Sequence, residues 1–166
     1  MTKTVFLLRH GKSDWGQSDC PDHDRPLNAR GRQAAMGVGR WFKSRDTPLQ
    51  LIVSSTALRA YSTAICVARE IDHDADRIVL KKNLYLAEPD AYCQQLAQLA
   101  QDVSVVLVVG HNPGMSELAS RWLGQSIEMP TAGLVQVELA LDEWGVLDHN
   151  TRGQLREVVR PREREA

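Results

Sequence analysis

Thr4-Val5-Phe6-Leu7-Leu8-Arg9-His10-Gly11 joins an apolar, partly β-branched run to an arginine, an imidazole and a glycine. A run of this length and composition predicts a buried strand, which places Arg9 and His10 at its carboxyl end. In an open α/β sheet, ligands bind outside the carboxyl ends of the strands. Gly11 has no Cβ, so the chain can turn sharply there and approach a ligand closely. A polar pair at a strand exit is also ordinary loop, and the reading gains weight only if the pattern recurs.

It recurs twice. Residues 51–53 are short and apolar and lead into Ser54-Ser55-Thr56-Ala57-Leu58-Arg59-Ala60. Ser54 to Thr56 are expected to cap a helix, with Arg59 in its first turn. Residues 103–109 are the most strand-like run in the chain and end in Gly110-His111-Asn112-Pro113-Gly114. Asn112 suits a helix cap and Pro113 a first helical position, which leaves His111 between strand end and helix start. Arg9 with His10, Arg59 and His111 therefore stand at three predicted strand exits.

The remaining segments continue the alternation. Asn28 is expected to cap a helix over residues 28–43 that turns Trp41 and Phe42 inward. A second helix is predicted over residues 56–70, a short strand at 78–80, and further helices over 89–101 and 113–123, the last stopped by Gly124. Residues 133–141 and 154–159 alternate apolar and polar side chains, as in an edge hairpin. The expected fold is a three-layer α/β domain: a mostly parallel central sheet flanked by helices, with an antiparallel edge hairpin. No repeat or linker divides it, so residues 1–160 read as one domain and 161–166 as a frayed charged tail.

Composition narrows the function. Charged residues are 25% of the chain and the net charge is -1, which argues against a general nucleic-acid or membrane binder and makes any positive field a local one. The longest aliphatic run, residues 105–109, is far short of the roughly 20 apolar residues that span a bilayer. The amino terminus opens into a strand without a signal-peptide hydrophobic region, and Cys20, Cys66 and Cys93 form no even framework or ligand pairing. Both features predict a cytoplasmic chain. Asp22-His23-Asp24 and Asp72-His73-Asp74 invite a metal reading, but no third cluster completes a site, and neither metal nor cofactor is expected.

Taken together, Leu8-Arg9-His10-Gly11-Lys12-Ser13, Asp24-Arg25-Pro26-Leu27 with Gly31, Ser54-Ser55 with Arg59-Ala60 and Thr63-Ala64, Val108-Val109-Gly110-His111-Asn112-Pro113, and Thr131-Ala132-Gly133 resemble, in order, the motifs of the histidine phosphatase superfamily (phosphoglycerate-mutase-like). The likeness is nearest to its short branch, the SixA-type phosphohistidine phosphatases, and covers most of the chain. The resemblance implies a cofactor-independent phosphatase with His10 as nucleophile and a phosphohistidine intermediate. Its expected partner is a phosphorylated signalling or phosphotransfer protein. A small phosphomonoester, or a silent phosphate-binding module, is the alternative.

The side chains suit that chemistry. A phosphoryl group in transfer spreads charge over its equatorial oxygens, and catalysis is mostly positioning and electrostatics. Arg9 and Arg59 offer permanently charged planar forks, and their proximity favours a neutral His10 ring. His111 is the second imidazole. Gly11, Lys12, Ser13 and Asn112 are the expected phosphate-binding surround, and Arg25 is expected to tie its loop to nearby carboxylates. Glu88 resembles the family's proton donor, but could equally complement a helix N-terminus. Trp15 near the mouth could select substrate or simply pack.

Overall fold

Val5 and Leu7 lie in one apolar core, Phe6 and Leu8 in another, the period-two division of a strand buried on both faces. This strand, β1 (Lys3–Arg9), is the sequence-predicted one. The structure is a computed structural model and describes residues 2–16 and 19–161. β1 is followed by α1 (Ala29–Arg45), β2 (Leu51–Ser55), α2 (Leu58–Glu70), β3 (Val79–Lys81), α3 (Pro89–Ala97), β4 (Val105–Gly110), α4 (Gly114–Leu123), β5 (Leu134–Leu139) and β6 (Gly153–Val159). Residues 162–166, most of the expected tail, lie outside the described residues.

The sheet order is β3-β2-β4-β1-β5-β6. β3, β2, β4 and β1 are parallel, β5 runs antiparallel to β1, and β6 returns antiparallel to β5. This is the expected three-layer α/β arrangement with its edge hairpin. On one face Val5, Leu7, Val106 and Val108 pack with Leu96 of α3 and Met115, Leu118 and Trp122 of α4. On the other, Phe6, Leu8, Leu107 and Val109 pack with Val38 and Phe42 of α1 and Ala64 and Val67 of α2. Burying one Leu- or Phe-sized side chain contributes about 1.5–3 kcal/mol, so the two cores fix both helix layers.

Local chemistry explains most boundaries. The Asn28 side chain accepts from the Gly31 N–H at 2.8 Å and starts α1, while Gly124, at φ 65°, ends α4. Phe42 is buried as expected, whereas Trp41 is half-buried and meets Phe6 edge-on.

Other boundaries depart from expectation. β2 runs on through Ser54 and Ser55, which are fully buried strand residues rather than the start of a cap. Ala57 is the N-cap of α2, and Ser55 Oγ accepts its N–H at 3.1 Å. α3 stops at Ala97, and β4 begins only at Val105. Its two preceding residues serve as bonding partners instead: Val103 O accepts from Trp144 Nε1 and Lys3 Nζ, and Ser104 N–H donates to Gln50. Pro113, not Asn112, occupies the cap position of α4.

Parallel pairing brings the carboxyl ends of β1, β2 and β4 to one edge of the sheet. The antiparallel β5 adds its start to the same edge, where Arg9 N–H donates to Gly133 O at 3.1 Å and Ala132 N–H to His10 O at 2.9 Å. Among the described residues no helix is long and apolar enough to cross a membrane.

Candidate active site

At that edge β1 and β4 are direct neighbours, with Arg9 paired to Gly110 and His10 N–H donating to Gly110 O at 3.1 Å. The two following side chains, His10 and His111, are thereby brought together: their ring centroids are 5.2 Å apart, with planes tilted by 56°. His10 Nδ1 lies 2.6 Å from the Gly11 carbonyl oxygen, which can only accept, so the proton is on Nδ1 and the lone pair on Nε2. His111 Nε2 lies 2.8 Å from Ser55 Oγ, at the end of β2.

Both rings are neutral at pH 7. Burial, rather than the arginines alone, pushes His10 down to about 4, with Arg59, Arg9 and Arg25 adding like-charge repulsion. Burial likewise takes His111 down to about 3, with His10 and Arg59 adding to it. An imidazole buried among cations keeps the basic nitrogen that a nucleophile needs.

The arginines are anchored from different elements. Arg9 donates through one terminal nitrogen to Met129 O at 3.1 Å. Arg59, in the first turn of α2 and 3% exposed, donates to Asp22 O at 2.7 Å and to Asp22 Oδ2 at 3.0 Å. Asp22 also accepts from Arg25 Nε at 3.1 Å and from the Tyr85 hydroxyl. The Tyr85 hydrogen bond, followed by those of Arg59 and Arg25, holds the Asp22 carboxyl down to about 2, so it is an anion at any working pH. Thr63, fully buried one turn beyond Arg59, accepts the Gly11 N–H at 3.0 Å and donates to Arg59 O at 2.7 Å. That hydroxyl couples the turn after β1 to the helix bearing the arginine.

These groups surround a cavity of about 450 Å³, lined by Arg9, His10, Lys12, Arg25, Arg59 and His111, with Ser13, Trp15, Asn28, Leu86, Asn112 and Thr131 around them. Four of its side chains are cationic, and among the described residues no carboxylate lines it. Arg9 Nε, Arg59 Nε and His111 Nδ1 are buried without a hydrogen-bond partner among the described residues. A buried unpaired donor costs about 1–3 kcal/mol, which a bound anion would recover.

The structure gathers Arg9, His10, Lys12, Ser13, Arg59, His111 and Asn112 as the sequence suggested, but several roles differ. Gly11 spends its N–H on Thr63 and its carbonyl on His10. Its hydrogen is needed because a Cβ there would lie 2.7 Å from Gly31 O. Asn112 donates to Met129 O at 2.9 Å and accepts from Ser116 N–H and Oγ, so its amide braces the loop. Ser13 Oγ accepts from Arg25 at 2.5 Å. Arg25 does tie its loop to a carboxylate, and it also lines the cavity.

Glu88 is exposed at the cap of α3, makes no cap bond and is not among the lining residues. Sequence reasoning gave Asp22 only a metal reading and Thr63 only a place in a motif, and it missed Tyr85 and the Met129 carbonyl. Among the described residues no cluster of three or more His, Cys, Asp or Glu is set to hold a metal.

A neutral imidazole with a free nitrogen, held among arginine forks at the carboxyl edge of an α/β sheet, defines a phosphoryl-transfer class of site. The chain belongs to the histidine phosphatase superfamily, branch 1, whose family pattern matches residues 5–84. An uncharacterized protein of Mycobacterium tuberculosis is 34% identical over 112 residues, covering 68% of this chain and 67% of that one. The uncharacterized phosphatase PhoE of Bacillus subtilis is 29% identical over 187 residues, covering 91% and 96%. Among solved structures, a candidate phosphohistidine phosphatase SixA of Agrobacterium tumefaciens superposes with a TM-score of 0.82 at 28% identity, covering 96% of this chain and 98% of that one.

Proposed function

We propose that the protein is a cofactor-independent phosphatase that removes phosphate from phosphohistidine on a signalling or phosphotransfer protein. The observation that carries this reading is the Nδ1–H bond of His10 to Gly11 O, because it leaves Nε2 as a lone pair beside the arginines. Nε2 attacks phosphorus and forms an N–P bond. The bond to the leaving group breaks and its electron pair departs with that group. Water then attacks the phosphorylated His10, the N–P electrons return to Nε2, and inorganic phosphate is released. Arg9 and Arg59 hold the equatorial oxygens throughout, and His111 donates to them.

The choice of leaving group rests on charge. An alkoxide must be protonated as it leaves, and that task falls to a carboxylic acid near the phosphate. Here Glu88 stands outside the cavity lining and Asp22 is held as an anion. A phosphohistidine ring carries its own site for that proton: with its other nitrogen protonated, near the imidazole pKa of about 6.5, it departs as neutral imidazole without an acid beside the phosphate. The overall likeness to SixA supports the same substrate, and the free thiols of Cys20, Cys66 and Cys93 fit a reducing, cytoplasmic setting.

The test is a side-by-side assay of a phosphohistidine protein against sugar and nucleotide monophosphates. The expected result is at least about tenfold higher kcat/KM for the phosphohistidine protein, equal to about 1.4 kcal/mol of discrimination. His10→Ala should abolish both turnover and phosphate labelling of the protein. Labelling that persisted in that variant would move the nucleophile elsewhere.

A further inference from the structure

We propose that Trp15 and Leu86 form a specificity rim that favours phosphoryl compounds whose leaving group is a flat ring. The inference rests on the phosphatase reading above and extends it to the part of the substrate beyond phosphorus.

The polar and cationic lining serves the phosphoryl group, which every substrate of such a site shares. Discrimination therefore falls on what the leaving group meets. In-line attack from His10 sends that group away from the nucleophile. Trp15 and Leu86 are the apolar side chains lining the cavity.

Trp15 is 78% exposed, so most of its amphipathic indole is available to a substrate entering the cavity. One face is occupied: the Arg25 guanidinium carbon lies 3.5 Å from the ring centroid. Arg25 is itself 7% exposed and fixed by Ser13 Oγ and the Asp22 carboxylate. The indole is thus pre-positioned by a rigid cation, with the rest of its surface open. A planar ring entering above it gains stacking without much loss of side-chain freedom.

Leu86 belongs to a different loop and is 55% exposed, with φ at 50°. A bulky residue in the left-handed region is disfavoured and persists only where its surroundings enforce it. They do so here. Leu84 is fully buried, the Tyr85 hydroxyl is bonded to Asp22, and the Ala87 carbonyl packs so closely on Gly114 that a Cβ there would lie 1.9 Å from its oxygen. Pinned on both sides, the loop presents an aliphatic side chain to the same cavity.

The experiment compares ring and ringless leaving groups in two matched pairs: phosphoimidazole with phosphoramidate, and phenyl phosphate with acetyl phosphate. The readout is the ratio of kcat/KM within each pair. Trp15→Ala should lower that ratio about 3- to 10-fold, the range one aromatic contact supplies. Trp15→Phe should restore most of it, and Leu86→Ala should lower it by a smaller factor. A ratio unchanged in Trp15→Ala, with both members of each pair slowed equally, overturns the rim and leaves Trp15 as a prop for Arg25. Wild-type turnover of the phenyl and acetyl pair without the two P–N compounds sinks the phosphohistidine reading alone, and the rim is then judged on that pair. No turnover of any of the four sinks both.

Discussion

Asp22 holds Arg59 by two routes at once: its carboxylate accepts from one terminal nitrogen at 3.0 Å and its backbone carbonyl from the other at 2.7 Å. The guanidinium therefore arrives at the cavity oriented by the loop between β1 and α1 rather than by its own helix.

Replacing this carboxylate separates charge from geometry. Asp22→Asn removes an anion from behind Arg59 and Arg25, which favours phosphate binding, yet loosens the fork proposed to hold the transition state. We expect kcat to fall about 3- to 10-fold while KM does not rise, since the carboxylate is half exposed and its interactions are screened. Steady-state kinetics check this, and a rise in KM matching the fall in kcat would contradict it.

The two imidazoles make the fold acid-sensitive in a defined window. In the folded chain His10 takes up a proton only near pH 4 and His111 near pH 3, whereas both do so near 6.5 when unfolded. Between those values the unfolded chain binds more protons, so stability is complete above about pH 6.5 and declines as pH falls towards 4. His10 alone accounts for about 2–3 kcal/mol at pH 4. Urea unfolding at pH 7.5 and 4.5 should show a smaller loss for His10→Asn than for wild type, by on the order of 2 kcal/mol.

Thr63→Val tests the hydroxyl that joins the two halves of the site. The shapes match, but the Gly11 N–H loses its partner in a fully buried place. An orphaned buried donor costs about 1–3 kcal/mol, or a drop in Tm of about 3–10 °C for a chain of this size. Thr63→Ser should recover most of it, as thermal denaturation would report.

Gly31→Ala should damage site and stability together. The added Cβ would lie 2.1 Å from Lys12 O, and backbone cannot rotate away. We expect at least about 1–3 kcal/mol of destabilisation and a loss of about tenfold or more in kcat as the loop after His10 shifts. Gly37, in the same helix, has nothing within 4 Å of such a Cβ, and Gly37→Ala should instead stabilise by about 0.5–1 kcal/mol. Parallel unfolding curves for the two variants would separate the clash from helix propensity.

What the sequence reveals depends on how local the cause is. The four strand-exit residues were legible because an apolar run, a turn and a helix start are adjacent in the chain, and parallel pairing then gathers them. Ser54 and Ser55 misled because two serines look like a helix cap, while their burial is set by neighbouring strands. Arg25 read as a loop tie, and only the stacked Trp15 and the bonded Ser13 reveal its place on the cavity wall. Asp22 and Tyr85 lie 63 residues apart and meet through tertiary packing, which no spacing announces. Glu88 resembles the family's acid but equally suits a helix N-terminus, and it stands at the exposed cap of α3, beyond the pinned turn at Leu86.

β2, β4 and β1 are consecutive in the middle of the sheet, and the outer strands β3 and β6 supply none of the residues that line the cavity around His10. Loops can accordingly be lengthened, trimmed or re-aimed around this centre without moving the three strand ends that carry Arg9, His10, Arg59 and His111. Diversification of such a scaffold would be a matter of changing the doorway while the hearth stays where it is.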